Sequence, residues 1–307
     1  MSKGIHISYL RQEEIDKQKW DACISNADNG LVYPYSFYLD AMAANWDALV
    51  LNDYQSVMPL TWKKKFGFHY LYQPAFTASL GVFGKQLSEE LVIQFIQAIP
   101  IKFKFIDIAL NYGNIFSMPS NWISTRNNYI LSLNKDYESL FSAYKENIRR
   151  NIKRAKLVGC IIKKDIPISE VIALAKPNLQ QLTNFNDSDY TNFETVYQHL
   201  YPQGKATTYG VYSPNQELVA SCAYFFSHKR AYYILVGNHP NGKTMGASHY
   251  MIDQFISDHA GQDLVLDFEG SDIRNLAYFY SSFGAGLEIY PYLKINRLPF
   301  WIRWVKN

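Results

Sequence analysis

Residues Ala231 to Ala285 read AYYILVGNHPNGKTMGASHYMIDQFISDHAGQDLVLDFEGSDIRNLAYFYSSFGA. The stretch opens with an apolar run rich in β-formers, 231–237, which predicts a buried strand. A glycine-containing loop follows, and after it apolar residues recur at the spacing of an amphipathic helix. A second short apolar run, Leu264 to Phe268, predicts another buried strand closed by Glu269-Gly270. The order strand, glycine loop, helix, strand is that of a βαβ unit.

The loop between the first strand and the helix, Lys243 to Ser248, has small residues where the helix is predicted to begin. Small residues let the backbone approach a ligand, and the first N–H groups of a helix have no acceptor within it. Together with the positive end of the helix dipole, these groups favour a bound phosphate or pyrophosphate.

Lys243-x-x-Gly246-x-Ser248 resembles the Arg/Gln-x-x-Gly-x-Gly/Ala loop with which GNAT acyltransferases grip the pyrophosphate of coenzyme A, and Tyr280-Ser-Ser-Phe-Gly284 resembles the Tyr-x-x-x-Gly end of their last helix. The resemblance implies an acyl-CoA co-substrate such as acetyl-CoA, and it points to backbone N–H groups around Gly237-Asn238 for the acyl carbonyl. The residues that it implies for donor binding are Gly237, Asn238, Lys243, Thr244, Met245, Gly246, Ala247 and Ser248.

One branch of that superfamily is more similar still, the FemAB-like transferases with the related BioF2-like acetyltransferase domains. Their pattern Arg-x-x-Ile-Arg-Arg-Ala-x-x-x-Gly resembles the basic run 147–159. Their Gly-Ala loop, Asp-Phe-x-Gly strand end and Phe-Gly-Ala ending resemble Gly246-Ala247, Asp267–Gly270 and Phe283–Ala285, in the same order. The resemblance implies an α/β fold with mixed sheets, built from two tandem GNAT-like domains. We place the domains at 1–135 and 136–307, the second opened by a linker helix over 136–158.

The chain has 307 residues, enough for two domains. Both halves predict the order β-β-β-α-β, a repeat without visible sequence identity. In the first half these elements are strands at 46–52, 57–64 and 66–72, a helix at 88–99 and a strand at 102–110. Where the second half has its glycine loop, the first half has residues 73–84, a long aromatic run led by proline, and we therefore expect one donor site, in the second half. The interval 177–201 is expected to hold only short helices, which leaves no room for the long helical hairpins that some FemAB-like enzymes use toward tRNA.

Composition and charge exclude several classes of protein. A net charge of +3 is too small to indicate DNA binding, and the three cysteines and seven histidines lack metal-ligand spacing. We therefore expect no metal. No apolar run reaches the ~20 residues that a membrane span needs. Without a secretion-type leader, the sequence favours a cytoplasmic protein.

Candidate catalytic groups lie at the end of the second buried strand and in the last predicted helix. Asp267 and Glu269 are carboxylates at a strand end, where α/β proteins gather ligands, and alternation is expected to put both on one face. One of them is predicted to accept the proton of an attacking amine, although an N-cap or buried ion pair explains Asp267 equally well. Tyr280 is the candidate acid for the leaving thiolate through its place in the Tyr-x-x-x-Gly ending, with simple packing as the alternative.

The predicted helix 137–158 has an apolar stripe, and its other face carries six cations. Crowded like charges repel, which favours a bound phosphate-bearing substrate over a merely solvated face. Arg149, Arg150 and Lys153 are the predicted substrate-binding residues.

The sequence thus predicts an N-acyltransferase that moves an acyl group from acyl-CoA to a small-molecule or peptide amine. One alternative is FemAB-like aminoacyl transfer, with tRNA as the partner. The other is a catalytically silent binding protein of the same fold.

Overall fold

The computed structural model describes residues 6–117, 121–270 and 272–300. The chain divides into two compact units, the first formed by residues 1–126 and 289–307, the second by residues 127–288. The predicted domains, 1–135 and 136–307, remain a prediction. The alternating sequence Gly4 to Leu10 also predicts a strand, of which residues 4 and 5 lie outside the described residues.

The first unit is a mixed sheet with helices. Its elements are β1 (Ile7–Leu10), α1 (Lys17–Asn26), α2 (Ser36–Met42), β2 (Trp46–Leu51), β3 (Ser56–Lys65), β4 (Phe68–Tyr72), β5 (Phe83–Gly84), α3 (Glu89–Ala98), β6 (Phe103–Ala109), the start of β7 (Ile123–Ser132) and most of β13 (Gly286–Asn296). Strands β1 to β4 pair antiparallel in order, β4 pairs with β6 in parallel, and β6 pairs antiparallel with residues Tyr292 to Asn296 of β13.

The second unit begins within β7 and continues through α4 (Tyr137–Ser142), α5 (Glu146–Val158), β8 (Ile161–Lys164), α6 (Ile168–Leu182), α7 (Asp187–Leu200), β9 (Ala206–Tyr212), β10 (Leu218–Ser227), β11 (Arg230–Asn238), α8 (Pro240–Met245), α9 (Ala247–His259), β12 (Val265–Asp267) and α10 (Arg274–Ser281). The strand order is β7-β12-β11-β10-β9-β8. Strands β11 and β12 pair in parallel, and the other neighbours pair antiparallel.

Each unit contains the predicted repeat of three strands, a helix and a fourth strand. In the first unit β2, β3 and β4 precede α3 and β6, and in the second β9, β10 and β11 precede α8, α9 and β12. Each repeat closes with a parallel pair, because a crossover helix returns the chain to the same end of the sheet. The predicted α/β class is confirmed.

The predicted linker helix is wrong in one respect, since it is two helices, α4 and α5, rather than one. The helix is interrupted at residues 143–145, where the Lys145 N–H donates to the Ser282 carbonyl at 2.9 Å instead of to a carbonyl of the preceding turn. The Arg149 guanidinium then donates to the carbonyls of Ser142 and Tyr144 at 2.7 and 2.8 Å. The Arg149 side chain thus satisfies two carbonyls that a continuous helix would have paired with its own N–H groups.

The expectation of short helices at 177–201 is also wrong. Helix α6 has 15 residues and contains Pro177, and α7 has 14. Both pack on the sheet of their unit: α6 contacts β10 and β11, and Phe193 of α7 stacks on Phe225 of β10 at 5.1 Å. Burial of apolar faces has stabilised helices that the sequence pattern did not reveal.

Candidate functional site

Strands β11 and β12 pair over only three residues and then part. Arg230, Ala231 and Tyr232 face Val265, Leu266 and Asp267, after which β12 ends and β11 runs on to Asn238. Parting strands leave polar backbone groups unpaired on one side. This gap at the carboxyl end of a parallel pair is where an α/β unit can admit a ligand.

A β-bulge lies on β11 beside this gap. Tyr224 of β10 faces Tyr233, whereas the preceding Ala223 faces Leu235, so Ile234 is an extra residue on β11. Bulges bend a strand and occur beside functional sites. The His239 N–H donates to the Val219 carbonyl of β10. Since successive N–H groups of a strand point to opposite sides, the Asn238 N–H points away from β10, toward the side that β12 has left.

Gly237 and Asn238, the predicted carbonyl-binding pair, lie at the end of β11 under α6. An ideal Cβ on Gly237 would lie 2.9 Å from the Ala175 nitrogen, so the glycine is needed for close packing of strand and helix. The Asn238 carbonyl accepts a hydrogen bond from Asn178 at 2.8 Å, and its side chain accepts one from the Ser248 hydroxyl. The last bond ties the end of β11 to the start of α9.

The segment Lys243 to Ser248 is not a loop, as the sequence had predicted, but a junction of two helices. Lys243, Thr244 and Met245 end α8, Gly246 has φ +80°, and α9 begins at Ala247. The prediction of a loop overlooked helix α8. Proline is favoured at the first position of a helix, and Pro240 begins α8. Packing is a second reason for glycine at 246 beside its positive φ, since an ideal Cβ would lie 2.4 Å from the Asn151 backbone oxygen of α5.

The first turn of α9 still offers the predicted N–H groups. In an α-helix the N–H groups of Ala247, Ser248 and His249 cannot reach an acceptor within the helix. The junction is held from α5, where Arg154 donates to the Thr244 carbonyl at 3.1 Å. Lys243 is exposed on α8.

Asp267 is enclosed in a buried ion-pair network. Its carboxylate accepts from Arg230 at 2.8 Å, Asn128 at 2.9 Å and the Glu269 N–H at 2.9 Å. Arg230 also donates to Glu288. Both oxygens of Asp267 are therefore engaged, which favours the ion-pair interpretation of this residue.

Glu269 departs from the extended backbone, so the expected alternation with Asp267 does not hold. Strand β12 ends at Asp267, and Glu269 has φ +60°. Burial raises the pKa of the Glu269 carboxyl well above its usual value of 4.5. Burial, followed by the charge of Glu269, also raises the pKa of the Tyr280 phenol. The charge of Glu269 therefore acts on Tyr280, whereas the carboxylate of Asp267 is occupied by Arg230, Asn128 and the Glu269 N–H.

Aromatic rings surround Tyr280. It stacks on Phe268 at 4.5 Å and meets Tyr233 edge-on at 6.4 Å. His249, in the first turn of α9, meets Phe279 edge-on at 5.0 Å, and burial lowers its pKa to about 4. His249 is therefore a neutral imidazole near pH 7.

The predicted substrate-binding cations lie on α5 in two settings. Arg149 is held by the carbonyls of Ser142 and Tyr144. Arg150 and Lys153 are exposed, on the side of α5 opposite the buried Ile148, Ile152 and Ala155. Their assignment to substrate stays a prediction.

Sequence reasoning missed His249, Tyr233 and the bulge at Ile234. The position of His249, three residues after Gly246, was a signal, because residues in the first helical turn point toward the same end as the N–H groups. Nothing in the run of apolar residues 231–237 marks the bulge.

Other kinds of site are not found in the part of the chain that the structure describes. It holds no group of three His, Cys, Asp or Glu side chains placed to bind a metal ion. Among the same residues, no helix is both long and apolar enough to cross a membrane.

Comparison with protein-family models finds no match, and comparison with curated proteins finds none. Solved structures do match in fold. FemX superposes with a TM-score of 0.65 at 13% identity, over 98% of this chain and 100% of its own. A conserved protein of unknown function from Bacteroides thetaiotaomicron VPI-5482 gives 0.57 at 11% identity, over 91% and 96%. L-PGS from Bacillus licheniformis gives 0.52 at 13% identity, over 85% and 87%. The chain therefore has a FemX-like fold, and the predicted GNAT-like α/β fold is confirmed.

Proposed function

We propose that the second unit is a FemAB-like N-acyltransferase that moves an acyl group from an acyl-CoA thioester to an amine. The observation that carries this proposal is the place of Tyr280, whose ring contacts Tyr233 and Phe268, the residues at which β11 and β12 part and after which Glu269 follows. The FemX-like fold supports it, because that fold is shared along the whole chain.

The donor would lie across the first turn of α9. N–H groups of Ala247, Ser248 and His249 supply donors to the pyrophosphate, and Lys243 adds a positive charge nearby. The thioester carbonyl would point at the Asn238 N–H on the open side of β11, which can stabilise negative charge as it develops.

Glu269 would act as the base. In the reaction the amine nitrogen bonds to the acyl carbon, the carbon–sulfur bond breaks, and the ammonium proton must leave. A carboxylate whose pKa is raised by burial accepts a proton more readily than an exposed one. Glu269 takes that proton directly or through one water molecule.

Tyr280 would donate to the leaving sulfur. Burial and the Glu269 charge keep the phenol protonated, but they also make it a weak acid. Once Glu269 has taken the amine proton, its charge no longer raises the Tyr280 pKa. The two steps are therefore coupled, and the phenol becomes a better donor when the thiolate forms.

The alternative donor is an aminoacyl-tRNA, which would use the same Glu269 and Tyr280. Short helices at 177–201 would have argued against tRNA, but α6 and α7 are longer than predicted, so that argument no longer holds. Both helices nevertheless lie on the sheet rather than projecting from it. A silent binding protein would keep donor binding without turnover.

Thermal unfolding with acetyl-CoA, free coenzyme A and 3′-phospho-ADP tests donor binding. A hundredfold excess over Kd should add about 2.7 kcal/mol to the free energy of unfolding. Release of thiol with a panel of amino sugars, polyamines and peptides then tests turnover. No stabilisation by any coenzyme A compound, with transfer from an aminoacyl-tRNA instead, would establish the alternative.

Tyr280→Phe separates chemistry from packing. We expect donor affinity to persist while turnover falls about a hundredfold or more. Tyr278→Phe, on the exposed side of the same helix, is the matched control and should leave both unchanged. Equal loss of affinity and turnover in Tyr280→Phe would assign Tyr280 to packing.

A further inference from the structure

The end of α5 exposes large apolar side chains. Leu157 is 76% exposed, Val158 is 42% exposed and Ile161, at the start of β8, is 59% exposed. Three such residues lie within five positions where α5 is followed by β8, a closer group than the single exposed apolar residues that are normal for a protein.

Cations flank these apolar residues. Arg150, Lys153 and Leu157 follow at spacings of three and four residues, so they form one stripe on the outward side of α5. Within the described chain, neither Arg150 nor Lys153 has a carboxylate partner, whereas Lys156 and Lys164 of the same region do. In α5 the acidic residue is Glu146, in the first turn.

We propose that the α5 outer face, defined as Arg150, Lys153, Leu157, Val158 and Ile161, docks on the surface of an anionic lipid bilayer. Cations attract anionic headgroups, and neighbouring apolar side chains enter the headgroup boundary, so one surface uses both kinds of residue. A nucleic acid would satisfy the cations but leave Leu157 and Ile161 without apolar partners.

The buried side of α5 makes this face independent of the candidate active site. Ile148, Ile152 and Ala155 pack into the unit, and α5 contacts α8 and α9. The outward stripe is on the opposite side of the helix. The inference therefore does not depend on the proposed acyl transfer, and its failure would leave that proposal intact.

Sedimentation of the full chain with vesicles tests the proposal. Vesicles of phosphatidylcholine mixed with phosphatidylglycerol should carry the protein down, and vesicles of phosphatidylcholine alone should not. Added salt should weaken the binding, because it screens exposed charges. Absence of binding to the mixed vesicles would overturn the proposal.

Variants separate lipid docking from simple charge attraction. Leu157→Gln should lower the vesicle-bound fraction several-fold, whereas Leu182→Gln on α6, equally exposed at 76%, should not. Lys153→Gln should also weaken binding, whereas Lys205→Gln should have little effect. All four positions are exposed, so circular dichroism should show unchanged folding.

One pattern would assign the face to a polyanion instead. If Leu157→Gln bound vesicles like the unaltered protein, Lys153→Gln did not, and heparin or tRNA bound with equal sensitivity to Lys153, the lipid proposal would be overturned.

Discussion

Gly246 and Asn151 are packed so closely that an ideal Cβ on the glycine would lie 2.4 Å from the asparagine backbone oxygen. This contact fixes the α8–α9 junction against α5. The N–H groups at the start of α9 are thus positioned by helix packing.

Gly246→Ala should destabilise the protein by more than the cost of its positive φ alone. A non-glycine residue in the left-handed region costs about 1–2 kcal/mol, and overpacking adds about 1–3 kcal/mol. Gly261→Ala is the matched control, since Gly261 has φ +79° and nothing within 4 Å of its ideal Cβ. Urea unfolding should show a clearly larger loss for Gly246→Ala; equal losses would mean that α5 moves aside without cost.

The Arg230 network should dominate the stability of the second unit. Arg230→Ala leaves Asp267 and Glu288 facing each other without their shared cation, and breaking such a buried pair costs about 3–5 kcal/mol. Asp267→Ala should cost less, because Arg230 keeps Glu288. Chemical unfolding measures both variants.

Lys229→Ala is the control for this network, because the neighbouring Lys229–Asp263 pair is exposed and should contribute nothing measurable. A different result would change the assignment of Asp267. If Asp267→Asn kept full stability but lost turnover, the carboxylate would be a catalytic group after all.

The order of elements was predictable because it depends on local patterns. Apolar runs and helical stripes gave the three strands, helix and fourth strand of each unit. Tertiary bonds overrode the pattern at α4 and α5, where the Ser282 carbonyl interrupts the helix at Lys145. No local signal in 136–158 encodes that partner.

The candidate site was predictable only in part for the same reason. Glu269 was named from its place at a strand end and Tyr280 from the resemblance to the Tyr-x-x-x-Gly ending, and the assignment of both as site residues stays a prediction. The difference between Glu269 and Asp267 required knowledge of Arg230, a residue 37 positions away in sequence from Asp267. A positive φ at Glu269 also breaks the alternation on which their common face was predicted.

Glu269→Gln should be more stable than the unaltered protein at high pH, and the difference should grow as pH rises. An acid whose pKa is raised on folding binds more protons folded than unfolded, so stability falls with pH above its usual value of 4.5. A glutamine at this position cannot be ionised, so the variant does not lose stability in this way. Thermal unfolding should give equal melting temperatures near pH 4 and a higher one for Glu269→Gln at pH 8.

Glu194→Gln on α7 controls for the general effect of removing one negative charge, and its pH profile should parallel that of the unaltered protein. If Glu269→Gln were instead less stable at pH 8, a cation must hold the ionised carboxylate, and its role as a base would be withdrawn.

His249 should make the second unit sensitive to acid. Burial lowers its pKa from 6.5 to about 4, so the unfolded chain binds its proton first, and the stability from the neutral ring is lost as pH falls from 6.5 toward 4. His249→Phe keeps an aromatic ring beside Phe279 and Phe283 but cannot be protonated. Its melting temperature should therefore fall less than that of the unaltered protein between pH 7 and pH 4.5. Imidazole NMR shifts, with the His249 signal identified by its absence in the variant, should show titration near pH 4; titration near pH 6.5 would place the ring in water and remove it from the site.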